Sequence, residues 1–154
     1  MFSPEERDRL RSNLLEYAAR DLFGVANGSQ HAPPPLPGNI IGLAWLYALH
    51  ARSCIARRKL WQAEYMISGV RDNALALACI RHGLPAVQGR GMDLLPNGMA
   101  EHFEDSLVRQ LNTAELSRAF RVVIYGLLGE ISCVDKELAA RLREVFTCLI
   151  ETLC

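Results

Sequence analysis

With 154 residues the chain has room for one domain with a substantial core, and half of its residues are apolar, which excludes a disordered composition. Seventeen Lys+Arg balance 17 Asp+Glu, so no global electrostatic pull draws the chain to nucleic acid or to an anionic membrane. No apolar run approaches the roughly 20 residues that span a bilayer, and the opening MFSPEERDRLR has no signal-peptide core. A cytoplasmic protein with neither nucleic-acid nor membrane partner is expected.

Taken in order, Ser3-Pro4-Glu5-Glu6 is a helix start, with Ser3 as N-cap, Pro4 at the first position and Glu6 completing a capping box. An N-terminal helix over residues 1–23 follows, with Leu10, Leu14, Tyr17, Ala18 and Leu22 on its apolar face. Residues 24–38, GVANGSQHAPPPLPG, read as a linker, since consecutive prolines neither join a helix nor donate to a sheet. A helical domain over 39–154 comes next.

Its first helix is expected over 40–58, capped by Asn39, with Leu43, Leu46, Tyr47, His50, Cys54 and Ile55 on a helical stripe. Arg57, Arg58 and Lys59 close it against the negative end of the helix dipole. Residues 60–83, LWQAEYMISGVRDNALALACIRHG, form the central helix and its expected antiparallel neighbour. Leu60, Ala63, Ile67, Val70, Ala74 and Leu77 recur at the spacing of a core-facing stripe, and Gly83 with Pro85 supplies the stop. After a glycine-rich loop, a helix is expected over 99–111. Asn112-Thr113-Ala114-Glu115 opens another to about Ser132, and Asp135 caps a last one over 136–153. No alternating run survives as a strand. The expected class is all-α: an up-and-down bundle of four to five main helices plus a separate N-terminal helix.

Cysteines number five, with no C-x-x-C, and read as reduced, mostly buried thiols. Neither they nor the four scattered histidines have zinc-ligand spacing, so no metal and no cofactor is expected. Ser29 lacks a G-x-S-x-G setting, and Gly89-Arg90-Gly91 is too short for a dinucleotide fingerprint. No catalytic residue is assigned.

The central helix carries the candidate site. Trp61, Glu64, Tyr65, Ser68, Arg71 and Asp72 fall three or four apart on a face beside the apolar stripe. Glu64 and Arg71 lie about 10 Å apart along the helix. At that distance they do not pair directly, but they can hold two ends of one polar ligand. Trp61 and Tyr65 add flat surfaces and a hydroxyl, and His50 sits on the preceding helix. The alternative is an inter-helix network of salt bridges with aromatic packing.

The run GLAWLYALHARSCIARRKLWQAEYMISGVRDNALALACIRHGLPAVQGRGMDLLP, residues 42–96, resembles the C-terminal helical domain of bacterial nucleotidyltransferases similar to the aminoglycoside-modifying enzymes. The opening FSPEERDRLRSNLLEYAARD looks like the first helix of such proteins. In that family a small α/β domain carries Gly-Ser followed by an Asp-x-Asp pair that holds Mg²⁺ and the nucleotide phosphates. Here Gly28-Ser29 runs into QHAPPPLPG, and the sequence contains no Asp-x-Asp.

The resemblance therefore implies a substrate-binding type of helical domain, not competent for nucleotidyl transfer alone. It offers Glu64 as the carboxylate facing a small cationic acceptor. The related HEPN domains include nucleases that place a histidine four to six residues after an arginine. None of the four histidines here has that arginine; Arg71 precedes His82 by eleven positions and Arg90 precedes His102 by twelve. A non-catalytic HEPN-like interaction or dimerisation module is the alternative implied. Its partner is a second copy or a separate nucleotidyltransferase chain, and a homodimer is expected under either reading.

Overall fold

The computed structural model describes residues 35–152 together with Glu5. The chain divides into a first unit, Met1–Pro33, and a second, Pro34–Cys154. The expected N-terminal helix and most of the linker lie outside the described residues. The second unit is all-α, and no strand occurs among its described residues.

Helix α1 spans Pro37–Ala56, α2 Leu60–Arg81, α3 Glu101–Glu104, α4 Thr113–Val134 and α5 Lys136–Glu151, with a 3-10 turn at Met92–Leu94. Helix α1 begins two residues before the expected Asn39 cap. Leu36 is its N-cap, without a side-chain cap bond, and Pro37 stands at the first position. The proline ring fixes φ near helical values and has no N–H to orphan, so Pro37 starts the helix and takes Asn39 into its first turn.

The basic run Arg57-Arg58-Lys59 lies beyond α1 and makes the turn into α2. Arg58 adopts φ 55°, and the Lys59 N–H donates to the Cys54 carbonyl. Tyr47 lies over Gly69 and beside Tyr65, residues nearly as far after this turn as Tyr47 is before it. Helices α1 and α2 therefore run antiparallel.

The buried stripe of α2 follows the expected one: Ala63, Ile67, Val70, Ala74 and Leu77 are all buried, and Leu60 at its start is half-buried. That of α1 is so only in part. Cys54 and Ile55 are buried as expected, and with them Ala44, Ala48 and Ala51 fully and Ile40 and Ile41 nearly so, whereas Leu43 and Leu46 are 46% and 50% exposed. His50 is also exposed. Apolar residues occur all round α1, so periodicity alone leaves its inward face open. Close packing against α2 selects the alanines, because small side chains let two helices approach. Trp45 meets Phe146 of α5 edge-on at 5.2 Å, which fixes a second side of α1.

Helix α4 supplies more of the large, fully buried side chains than any other described helix: Leu116, Phe120, Val123, Ile124, Leu127 and Ile131. Each such side chain contributes about 1.5–3 kcal/mol. Asn112 and Asp135 cap α4 and α5 as expected, accepting from the N–H groups of Glu115 and Leu138 at 2.9 Å.

The helix expected over 99–111 is reduced to the single turn of α3. The Ser106 hydroxyl bonds back to the Phe103 carbonyl, and guanidinium groups take the carbonyls that would continue the helix. Arg118 reaches those of Asp105 and Leu107, and Arg71 that of Ser106. Charge-assisted bonds of this kind outweigh the modest gain from extending a short helix.

Glu115 completes the clasp. Its carboxylate accepts from Arg118 at 2.7 and 2.8 Å and from the backbone N–H of Arg109 at 3.0 Å. These bonds, Arg118 first, draw its carboxyl down to about 2. A lowered folded value means that ionised Glu115 stabilises the fold above the ordinary carboxyl range, and that this contribution disappears as pH falls toward 2. The urea midpoint should therefore drop more steeply in the native chain than in Glu115→Gln between about pH 5 and about pH 2. The variant should already be the weaker protein at neutral pH. Parallel slopes would mean that the clasp carries no linkage.

Candidate functional site

The residues singled out on α2 separate into three groups. Glu64, Ser68 and Arg71 form one chain of hydrogen bonds along a half-buried stripe. Ser68 Oγ donates to Glu64 Oε1 at 2.8 Å, and Arg71 Nη2 donates to Ser68 Oγ at 2.8 Å. Glu64 and Arg71 do not pair, as their separation implies; the serine between them bridges the two. Arg71 Nη1 also reaches the Ser106 carbonyl, at 3.4 Å. One guanidinium therefore orients Glu64 through the serine and also holds the loop after α3.

Trp61 and Tyr65 are surface residues, 77% and 63% exposed. Tyr65 is a neighbour of Tyr47, ring centroids 6.5 Å apart. Burial pushes the Tyr47 phenol above its ordinary range, with Tyr65 and then Asp72 adding to the effect. His50 is exposed on α1.

Asp72 belongs elsewhere. With Asn73, Ala76, Ala86, Gln88, Gly89 and Met92 it lines an open cavity of about 360 Å³ between α2 and the loop that follows. Burial raises its carboxyl above the usual range, against the pull of Arg71 and with a push from Glu64. No other residue of the candidate set lines this cavity.

A second open cavity, of about 400 Å³, lies between α3 and α4, lined by His102, Asp105, Val122, Tyr125, Gly126, Gly129 and Glu130. Glu130 is 6% exposed and is held by Arg81 Nη2, 3.0 and 3.3 Å from its two oxygens. Asp105 is exposed and pairs with Arg109 at 3.0 Å. Both carboxylates thus have cationic partners, so the cavity has no unbalanced acidic pull. Sequence reading missed this cluster. Its legible trace is Gly126 and Gly129, three apart inside a helix that would otherwise avoid glycine.

Neither cavity brings a nucleophile beside a base. Cys79 is buried, which pushes its thiol above the ordinary range. Cys133 and Cys148 are exposed, contrary to the expectation of mostly buried thiols. Among the described residues no group of three or more His, Cys, Asp or Glu could hold a metal ion. No described helix is long and apolar enough to cross a membrane.

What the surface does offer is apolar area. Leu43, Leu46 and Leu49 of α1 and Trp61 and Tyr65 of α2 are all exposed. No family model matches this chain, and neither a curated protein nor a solved structure matches it.

Proposed function

We propose that this chain is a non-catalytic helical interaction module whose working surface is the exposed outer side of the α1–α2 hairpin. Helices α1, α2, α4 and α5 are read here as an up-and-down bundle that holds this hairpin rigid. The exposure of Trp61 carries the reading. A tryptophan 77% open to water, one helical turn from a tyrosine 63% open, gains nothing for a solitary fold. Tryptophan and tyrosine are also the residues that most often anchor protein interfaces.

Placing a photo-reactive amino acid at position 61, in the cells that make the protein, tests the proposal. A discrete cross-linked product is expected, and none from the same group at Val134, which is exposed elsewhere. Absence of any product at position 61 would overturn the module.

A second reading follows from the resemblance, in which these helices cover a cationic acceptor substrate. The ordered Glu64–Ser68–Arg71 chain favours it, because it presents a half-buried, oriented carboxylate. Under that reading an aminoglycoside at 100 times its dissociation constant should stabilise the chain by about 2.7 kcal/mol. Glu64→Ala should abolish the effect. A flat thermal shift across aminoglycosides would remove this reading and leave the module standing.

A further inference from the structure

Helix α1 carries its leucines on the outside. Leu43, Leu46 and Leu49 recur three apart and are 46%, 50% and 36% exposed, while alanines fill the buried face. Leu36, at the N-cap, is 68% exposed. A surface helix ordinarily shows the reverse pattern, with polar groups outward.

Gly42 lies in the same stretch, four residues before Leu46, and a Cβ there would meet nothing within 4 Å. Neighbouring atoms do not explain a glycine inside this helix, where it costs roughly 0.5–1 kcal/mol relative to alanine. It leaves a shallow gap beside Leu46.

The charge pattern says what fits over this face. Residues 37–51 contain no Asp, Glu, Lys or Arg, although the chain as a whole has 34 charged residues. An uncharged surface offers no complement to a charged partner. It is, however, compatible with itself, because a twofold axis sets the residues nearest the axis against their own copies, where any charge would face a like charge. Four exposed leucines, with Tyr65 beside Tyr47 of α1 and Trp61 one turn away, add to a surface on which a standard interface takes about 800 Å² per partner.

We infer that the outer face of α1 is a homodimer interface, in which Leu43, Leu46 and Leu49 of one copy pack over the same residues of a second. This rests on the interaction-module reading and names its partner as the chain itself. Gly42 lets the two α1 helices approach closely, and the leucines fill the space between them. Trp61 and Tyr65 close the rim.

The test is sedimentation equilibrium of the full chain across a wide concentration range. The native chain should be dimeric. Leu46→Glu should weaken self-association at least about 100-fold, because it places two carboxylates together in a desolvated contact. The monomer should keep its helical content, since Leu46 is half exposed. Val145→Glu, equally apolar and exposed but on α5, should leave the dimer intact. Leu46→Lys should also be monomeric, and mixing it with Leu46→Glu should restore a dimer, which an unfolded variant could not do.

A native chain that stays monomeric overturns the inference, and position 61 can still report a different partner protein. A dimer that survives Leu46→Glu but is lost in Trp61→Ala also overturns it, while supporting the hairpin as an interaction surface.

Discussion

Replacing Gly91 by alanine should cost about 3 kcal/mol and lower the melting temperature by roughly 10 °C. The backbone at this glycine is ordinary, with φ −97°, so conformational freedom is not the reason. Space is. A Cβ here would be driven into the Pro85 carbonyl oxygen, 3.0 Å from Leu84 Cβ and 3.2 Å from Cys79 Sγ.

The first of these obstacles is backbone, and it cannot swing aside. The Leu84 N–H donates to the Cys79 carbonyl at 2.8 Å, and Gly83 holds the left-handed φ of 69° that turns the chain off α2. The loop must therefore lift away from the helix end, opening the cavity at Asp72 and unseating Leu95, which is buried in the core. Gly129→Ala is the control. A Cβ there would meet nothing within 4 Å, and the gain in helix propensity is about 1 kcal/mol. Equal melting temperatures for the two variants would refute the argument from backbone crowding.

Arg81→Met is expected to cost about 2–3 kcal/mol, read as a fall in the urea midpoint at unchanged slope. Glu130 is 6% exposed and has Arg81 as its ionic partner, while Arg81 keeps a quarter of its side chain in water. Removing the arginine leaves a buried carboxylate with no cation. Removing both is different. The double variant Arg81→Met with Glu130→Leu should recover most of the loss, because a well-packed apolar pair replaces two desolvated charges. A double variant as weak as the single one would show that Arg81 acts through packing of its stem, not through its charge.

Where a local signal decides a boundary, the sequence was legible. Asn112 and Asp135 each stand immediately before a helix and cap it through the third residue on, so α4 and α5 start where expected. Gly83 and Pro85 end α2 for equally local reasons. The misreadings have non-local causes. Apolar residues lie all round α1, so a stripe drawn through Leu43 and Leu46 is as regular as one drawn through its alanines. What decides α1 is how closely α2 approaches it, which no stretch of α1 encodes.

Helix α3 failed as an expectation because its carbonyls are taken by Arg71 and Arg118. Arg71 lies 35 residues from its target Ser106, and Arg118 lies 11 and 13 residues from Leu107 and Asp105. At the candidate site the three- and four-residue spacing of Glu64, Ser68 and Arg71 was readable, and these side chains do bond in sequence. The neighbourhood of His102, Tyr125 and Glu130 was not, since it joins residues from two helices that no single period connects.

That arginine clasp also holds a segment by both polarities of its backbone. The Ser106 and Leu107 N–H groups donate to the carbonyls of Phe103 and Glu104, and the Arg109 N–H donates to Glu115. The carbonyls of Asp105, Ser106 and Leu107 are taken in turn by Arg118 and Arg71. A stretch that completes only one helical turn is thus tied on donor and acceptor alike, and its amides should exchange with solvent far more slowly than those of an ordinary connecting loop.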